Sequence, residues 1–265
     1  MNKKHIIPVL GLLLLFAGCS GNDEGVVEFE PVVTDQMAVL SNEDNSPTCS
    51  VHLELQEATK DCGHPGELIN AAVMKRLLDR EESSMKVASE AFANHYTDTY
   101  KKTMLPLYNQ DRADTTKRAW YQYHYIITSS TQKGSKGTLV YLATVDYYEG
   151  GAHGIHQLIT MNFEAKTGRQ LSLSDIFASG YEQPLKNILL KALKAKTGCT
   201  TMGALKEKGY LYSMDIFPSE NFILGEETIT FVYNPYEIAP YAMGSTELII
   251  PYSDVDKLLK NSFEY

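Results

Sequence analysis

Apolar and polar residues alternate in Val51-His52-Leu53-Glu54-Leu55, a period of two that predicts a strand with one buried face. The period then lengthens. Leu68, Ile69, Ala72, Val73, Arg76, Leu77 and Leu78 follow helical spacing behind Pro65, which suits a first helical turn. A second helix is expected from about Ser84 to Met104, with Val87, Ala91, Phe92, His95 and Tyr96 on one face and Pro106 as its stop. Ala119 to Ser130 is aromatic and β-branched and predicts a strand; Gln132-Lys133-Gly134-Ser135 turns it into another, Gly137 to Tyr148. Gly150-Gly151 breaks that strand, and Ile155 to Phe163 is the next. Beyond the tight turn Lys166-Thr167-Gly168, Gln170 to Leu173 is extended and Ser174 is placed to cap a short helical turn over Asp175 to Phe177. Leu185 to Ala195 is an amphipathic helix with its lysines turned to solvent. Phe222 to Leu224 and Thr228 to Tyr233 form a hairpin around Gly225-Glu226, and Thr246 to Ile250 is a last strand. Ser253 with Asp256 reads as a capping box for a final helix to about Lys260. Such an order predicts an α+β fold, an antiparallel sheet with helices packed on it. A small N-terminal α/β subdomain is expected over residues 49–135 and a larger domain over 136–265.

The first residues follow a different logic. Lys3 and Lys4 precede an apolar run from Ile6 to Phe16, and Phe16-Ala17-Gly18-Cys19 closes it with small residues before a cysteine. This is the pattern of a secretory signal ending in a lipobox. A run of roughly eleven residues is too short to span a bilayer, which needs ~20. Residues 1–18 are therefore expected to be removed and Cys19 to be lipidated, since two acyl chains hold a protein stably on a membrane. Residues 19–48 read as an acidic tether, with Asp23, Glu24, Glu28, Glu30, Asp35, Glu43 and Asp44 among glycines and prolines. The expected location is extracytoplasmic, on a bacterial outer membrane or cell surface, with the lipid as the only membrane contact.

The chain carries 24 basic and 33 acidic residues. Loss of Lys3 and Lys4 with the signal leaves a balance of about −11. That sign argues against a nucleic-acid partner, whose phosphates it would repel, and favours a basic one. Cys49 and Cys62 are the candidate disulfide pair in an exported protein, and a bridge closing that loop would stabilise by about 3 kcal/mol. Cys199 is left as a small buried thiol. No CxxC spacing points to zinc, and no metal or cofactor is expected.

Two polar clusters could carry function. In Asp146-Tyr147-Tyr148-Glu149-Gly150-Gly151-Ala152-His153-Gly154-Ile155-His156, glycines beside a histidine mark a sharp turn. His153 could act as a base with Asp146 or Glu149 as its orienting carboxylate, or it could simply fix the backbone. The chain shows no G-x-S-x-G or comparable nucleophile motif. The second cluster runs from Tyr233-Asn234-Pro235-Tyr236 through Glu237 to Pro240-Tyr241 and Gly244, a structured loop. Loop tyrosines are favoured contact residues, though these rings could equally tie the loop down.

Together the clusters carry a resemblance. Tyr148-Glu149-Gly150-Gly151-Ala152-His153-Gly154, the stretch Asn162-Phe163 to Asp175-Ile176-Phe177, and the later Tyr233-Asn234-Pro235-Tyr236 to Tyr241 with Ile250-Pro251-Tyr252 resemble domain of unknown function 3298 over about residues 140–262. Residues 49 to about 130 resemble the smaller domain that commonly precedes it. The resemblance implies an extracytoplasmic α+β domain. Similar domains form the outer part of lysozyme-sensing anti-sigma factors and the non-catalytic part of peptidoglycan deacetylases. No stretch of this sequence resembles a deacetylase domain. The reading is a non-enzymatic envelope lipoprotein binding a protein or glycan, with lysozyme, another basic wall hydrolase or peptidoglycan as ligand. Tyr147, Tyr148, His153, Tyr236 and Tyr241 are its candidate binding residues. The alternative is a peptidoglycan-modifying enzyme with His153 as base.

Overall fold

The computed structural model describes residues 27–265, so the signal, Cys19 and the start of the tether lie outside the described residues. Two sheets and two main cores make up the described chain. The larger sheet has the order β1-β2-β3-β4-β5-β6: β1 Phe29–Val39, β2 Thr48–Ala58, β3 Tyr123–Lys133, β4 Thr138–Tyr148, β5 Ile155–Glu164 and β6 Gln170–Leu171. The smaller sheet is β7 Phe222–Leu224, β8 Thr228–Tyr233 and β9 Thr246–Pro251 in that order. The architecture is α+β.

All pairs are antiparallel except β2 with β3, which run parallel from Cys49↔Tyr123 to Glu54↔Thr128. A parallel pair needs a long crossover. It is supplied by α1 (Gly63–Leu78) and α2 (Met85–Asp111), which cover one face of the sheet. Ile69, Val73 and Leu77 of α1 pack there with Leu53 and Leu55 of β2, Ile127 of β3 and Tyr141 of β4. In the second core Leu185, Leu189 and Leu193 of α4 (Glu182–Thr197), spaced four apart, meet Leu224, Ile229, Phe231 and Leu248 of the small sheet. Short α3 (Leu173–Ile176), α5 (Met202–Glu207) and α6 (Tyr252–Val255) complete the helices.

Several expectations need correction. The acidic tether does not extend to residue 48: from Phe29 to Val39 the chain is β1, paired along its length with β2. Charge counting hid a period of two in which Thr34 and Ala38 are buried while Val33, Asp35 and Met37 stay exposed. The sheet crosses the expected boundary at 135/136, which falls in the β3–β4 turn. Pro106 lies inside α2. The turn beyond it is held by Tyr108, which is buried against Tyr121 with ring centroids 5.4 Å apart. Tertiary packing here outweighs the cost of a missing helix hydrogen bond. Residues 115–121 form a 3-10 turn instead of the start of β3. Ser172, not Ser174, caps α3, in a capping box with Asp175. The final helix is only a turn of α-helix followed by a 3-10 turn at residues 256–258.

Cys49 and Cys62 do not pair; both are free. Cys49 lies at the start of β2 and Cys62 in the 3-10 turn beyond its end, so the length of the strand, at about 3.3 Å per residue, holds them far beyond disulfide reach. Burial pushes the Cys49 thiol up to about 12, so it stays protonated and inert. Cys199 is buried and free.

Candidate functional site

The two polar clusters meet in space. Gly150 carries φ +82, and a Cβ there would lie 2.7 Å from the Trp120 carbonyl oxygen, so only glycine lets the β4–β5 connection turn this tightly. The turn places His153 outside the sheet. The other cluster follows β8. Tyr236 N–H donates to the Ala239 carbonyl at 2.9 Å, Glu237 N–H to the Asn234 carbonyl at 3.1 Å, and Asn234 N–H to Glu237 Oε2 at 2.7 Å. These bonds hold Tyr236 at φ +73, a left-handed conformation that costs a non-glycine residue of order 1–3 kcal/mol. The strained backbone aims the Tyr236 ring outward, 57% exposed.

There Tyr236 Oη lies 3.1 Å from His153 Nε2. The His153 and Tyr241 rings are 4.4 Å apart, and the Tyr236 and Tyr241 rings 5.8 Å. Three of the five candidate residues thus form one surface cluster, with exposed Met243 on the same loop. Tyr147 and Tyr148, being consecutive in a strand, point to opposite faces. Tyr147 stacks on Tyr125 with centroids 5.4 Å apart, on the helix-covered side. Tyr148 sits beside His124 at 6.2 Å, and its hydroxyl donates to the Gly151 carbonyl. It is not part of the cluster.

The carboxylates expected to orient His153 are engaged elsewhere. Asp146 Oδ1 is 2.8 Å from His124 Nε2, and its Oδ2 is 3.3 Å from His156 Nδ1. Glu149 Oε1 accepts from the Tyr96 hydroxyl at 2.7 Å. His153 therefore faces a phenol where a base would need an acid. Among the described residues no group of three His, Cys, Asp or Glu is arranged to hold a metal ion. Sequence reasoning passed over two neighbours of the cluster. Arg76 and Glu237 both line a polar cavity of about 490 Å³ that also takes in Tyr147 and Glu149. Burial holds the Glu237 carboxyl above the usual range, while the Asn234 amide and the Arg76 charge pull it back. The sole signal for Glu237 was its place beside Tyr236; Arg76 gave none, because it falls in register with the apolar face of α1.

A family model for proteins of unknown function, DUF3298, matches residues 174–253, from α3 into α6. A crystal structure of a DUF3298 family member from Bacteroides fragilis is 31% identical, aligned over 91% of this chain and 96% of that one, with a TM-score of 0.82. The chain belongs to the DUF3298 family. A DUF3298 family protein from Pseudomonas aeruginosa, 15% identical over 90% of this chain and 96% of its own, shares the fold with a TM-score of 0.61. No curated protein matches the chain. The family model covers the later part of the stretch read from the sequence, and the structural likeness to DUF3298 members extends over nearly the whole chain.

Proposed function

We propose that the protein is a non-enzymatic binding protein of the bacterial cell envelope, lipidated at Cys19 after removal of residues 1–18, whose aromatic face takes a protein or glycan ligand. The observation that carries this reading is the surface cluster of exposed His153 and Tyr236 with half-buried Tyr241, assembled from two loops about eighty residues apart. Rigid aromatic rings offer large contact area at low entropic cost. The acid excess favours a basic partner, so a basic wall hydrolase such as lysozyme is the first ligand to test and peptidoglycan the second. A role in binding without turnover is supported by His153, which faces Tyr236 and not a carboxylate. No helix among the described residues is long and apolar enough to cross a membrane.

Replacing Tyr236 and Tyr241 together by alanine is expected to weaken lysozyme binding by about tenfold or more, with the melting temperature little changed. Surface plasmon resonance at two salt concentrations and a thermal melt check this. Wild-type affinity in the double variant would remove the aromatic face from the reading, and wall-fragment turnover abolished by His153→Ala would replace it with the enzyme. The anchor has its own test. Cys19→Ser expressed in a bacterial host should leave the membrane pellet or remain unprocessed, read by fractionation and intact mass; a variant that fractionates and matures like wild type would sink it.

A further inference from the structure

A second cavity, about 750 Å³, opens beside the first. Arg76 and Glu237 line both, so the two form one trough with that pair at its middle. Glu149 lines only the first cavity, and Glu220 and Asp175 only the second. The trough adjoins the aromatic cluster at Glu237, but none of His153, Tyr236 and Tyr241 lines it.

Its charges are arranged unusually. Arg76 is the only cation lining it among the described residues. Lys75, its neighbour on α1, is paired with Asp79 at 2.8 Å and Glu81 at 3.3 Å. Arg76 makes no ion pair or hydrogen bond to a described residue, although it lies close enough to Glu237 to lower its pKa. The three glutamates share one feature. Glu149 Oε1 takes the Tyr96 hydroxyl, Glu220 Oε2 takes the Leu173 N–H at 3.1 Å, and Glu237 Oε2 takes the Asn234 N–H. Each spends one oxygen on the fold and keeps the other without a partner among the described residues. Asp175, also on the second cavity, has both oxygens engaged, Oδ1 by Arg169 at 2.6 Å and Oδ2 by Ser172, so the unspent charges along the trough run negative, positive beside negative, negative.

This order selects a ligand class. A polycation would meet Arg76 at the middle of its path, and a phosphate-rich anion would meet carboxylates at every other point. A guanidinium presents a planar fork that matches a carboxylate with two parallel hydrogen bonds. We propose that the trough binds a short zwitterionic peptide, with a free carboxylate on Arg76 and amines on the spare oxygens of Glu149 or Glu220. The groups are solvent-facing, so the affinity falls in the sub-millimolar range. The inference goes beyond the aromatic face and stands without it.

The test is calorimetric titration of the full-length chain with the tripeptide Ala-Ala-Lys, its C-terminal amide and its doubly acetylated form. The free acid should bind about tenfold more tightly than the amide or the acetylated peptide. Arg76→Gln should abolish the preference for acid over amide, and Arg76→Lys should keep part of it. Both variants should melt like wild type, because the side chain is on the helix surface. Tyr236→Ala with Tyr241→Ala should bind the tripeptide normally, so failure of the aromatic face and failure of the trough are read separately. Equal binding of acid and amide by the wild-type chain would overturn the proposal, as would tighter binding of tetralysine or chitotetraose than of the tripeptide, no measurable tripeptide binding at millimolar concentration, or an unchanged preference in Arg76→Gln.

Discussion

Gly168→Ala should destabilise the protein by about 3–5 kcal/mol, which is at the upper end for a single substitution. Gly168 closes the turn between β5 and β6 at φ +73, and its N–H donates to the Glu164 carbonyl at 2.8 Å. A Cβ there would lie 2.2 Å from the Pro65 carbonyl oxygen and 2.7 Å from the Pro65 Cα. That backbone belongs to the first turn of α1, which cannot move without shifting the helix off the sheet. Left-handed backbone alone costs an alanine about 1–2 kcal/mol; the clash adds the rest. Gly198, the left-handed residue closing α4, is the matched control. It has φ +68 and nothing within 4 Å of its Cβ position. At roughly 2–4 °C per kcal/mol for a chain of this size, the two alanine variants should separate clearly in thermal melts. Equal losses at both positions would show that the backbone angle alone matters and that the turn and helix are not in firm contact.

Removing the amides of Asn221 and Asn234 together should cost more than the two single losses added. These side chains join the sheets. Asn234 Oδ1 accepts the Leu158 N–H at 2.8 Å, and Asn221 Oδ1 accepts the Thr160 N–H at 2.8 Å. Both amide Nδ2 groups donate to the one Leu158 carbonyl, from Asn234 at 3.0 Å and from Asn221 at 2.8 Å. They supply the free edge of β5 with the bonds a further strand would give. Each Asn→Ala change strands one backbone N–H and should cost about 1–3 kcal/mol. The Leu158 carbonyl keeps a partner in either single variant and loses both in the double, so the changes should couple unfavourably. Chemical denaturation of the four proteins of the cycle measures this, with hydrogen exchange at the Leu158 amide as a local readout. Strict additivity would mean that water or backbone movement replaces the lost amides.

Legibility varied by residue for physical reasons. The β4–β5 hairpin, α1, α4 and the β7–β8 hairpin were readable because each carries its period and its turn residues within a dozen positions. β1 was not, because seven acidic residues between Cys19 and Thr48 outweigh its alternation in any compositional reading. The extra turn beyond Pro106 was not, because it depends on Tyr108 meeting Tyr121 from another element. Free Cys49 and Cys62 could not be told from a bridge by their spacing, since a thirteen-residue separation is short in coil and long in a strand. Of the candidate binding residues, the glycine-histidine and double-tyrosine motifs announced two loops but not that the loops touch.

The order of residues alone determined the mixed class of fold, most element positions, the acidic balance and the two loops worth watching, because periodicity, turn chemistry and charge are local properties. Only the tertiary structure decided that β2 and β3 run parallel, that His153 joins Tyr236 and Tyr241 while Tyr148 turns away, and that Arg76 of α1 faces Glu237 across a trough. Those facts depend on contacts between segments about seventy to one hundred and sixty residues apart, and such contacts are settled by packing and by the satisfaction of buried polar groups, neither of which leaves a local trace in the chain.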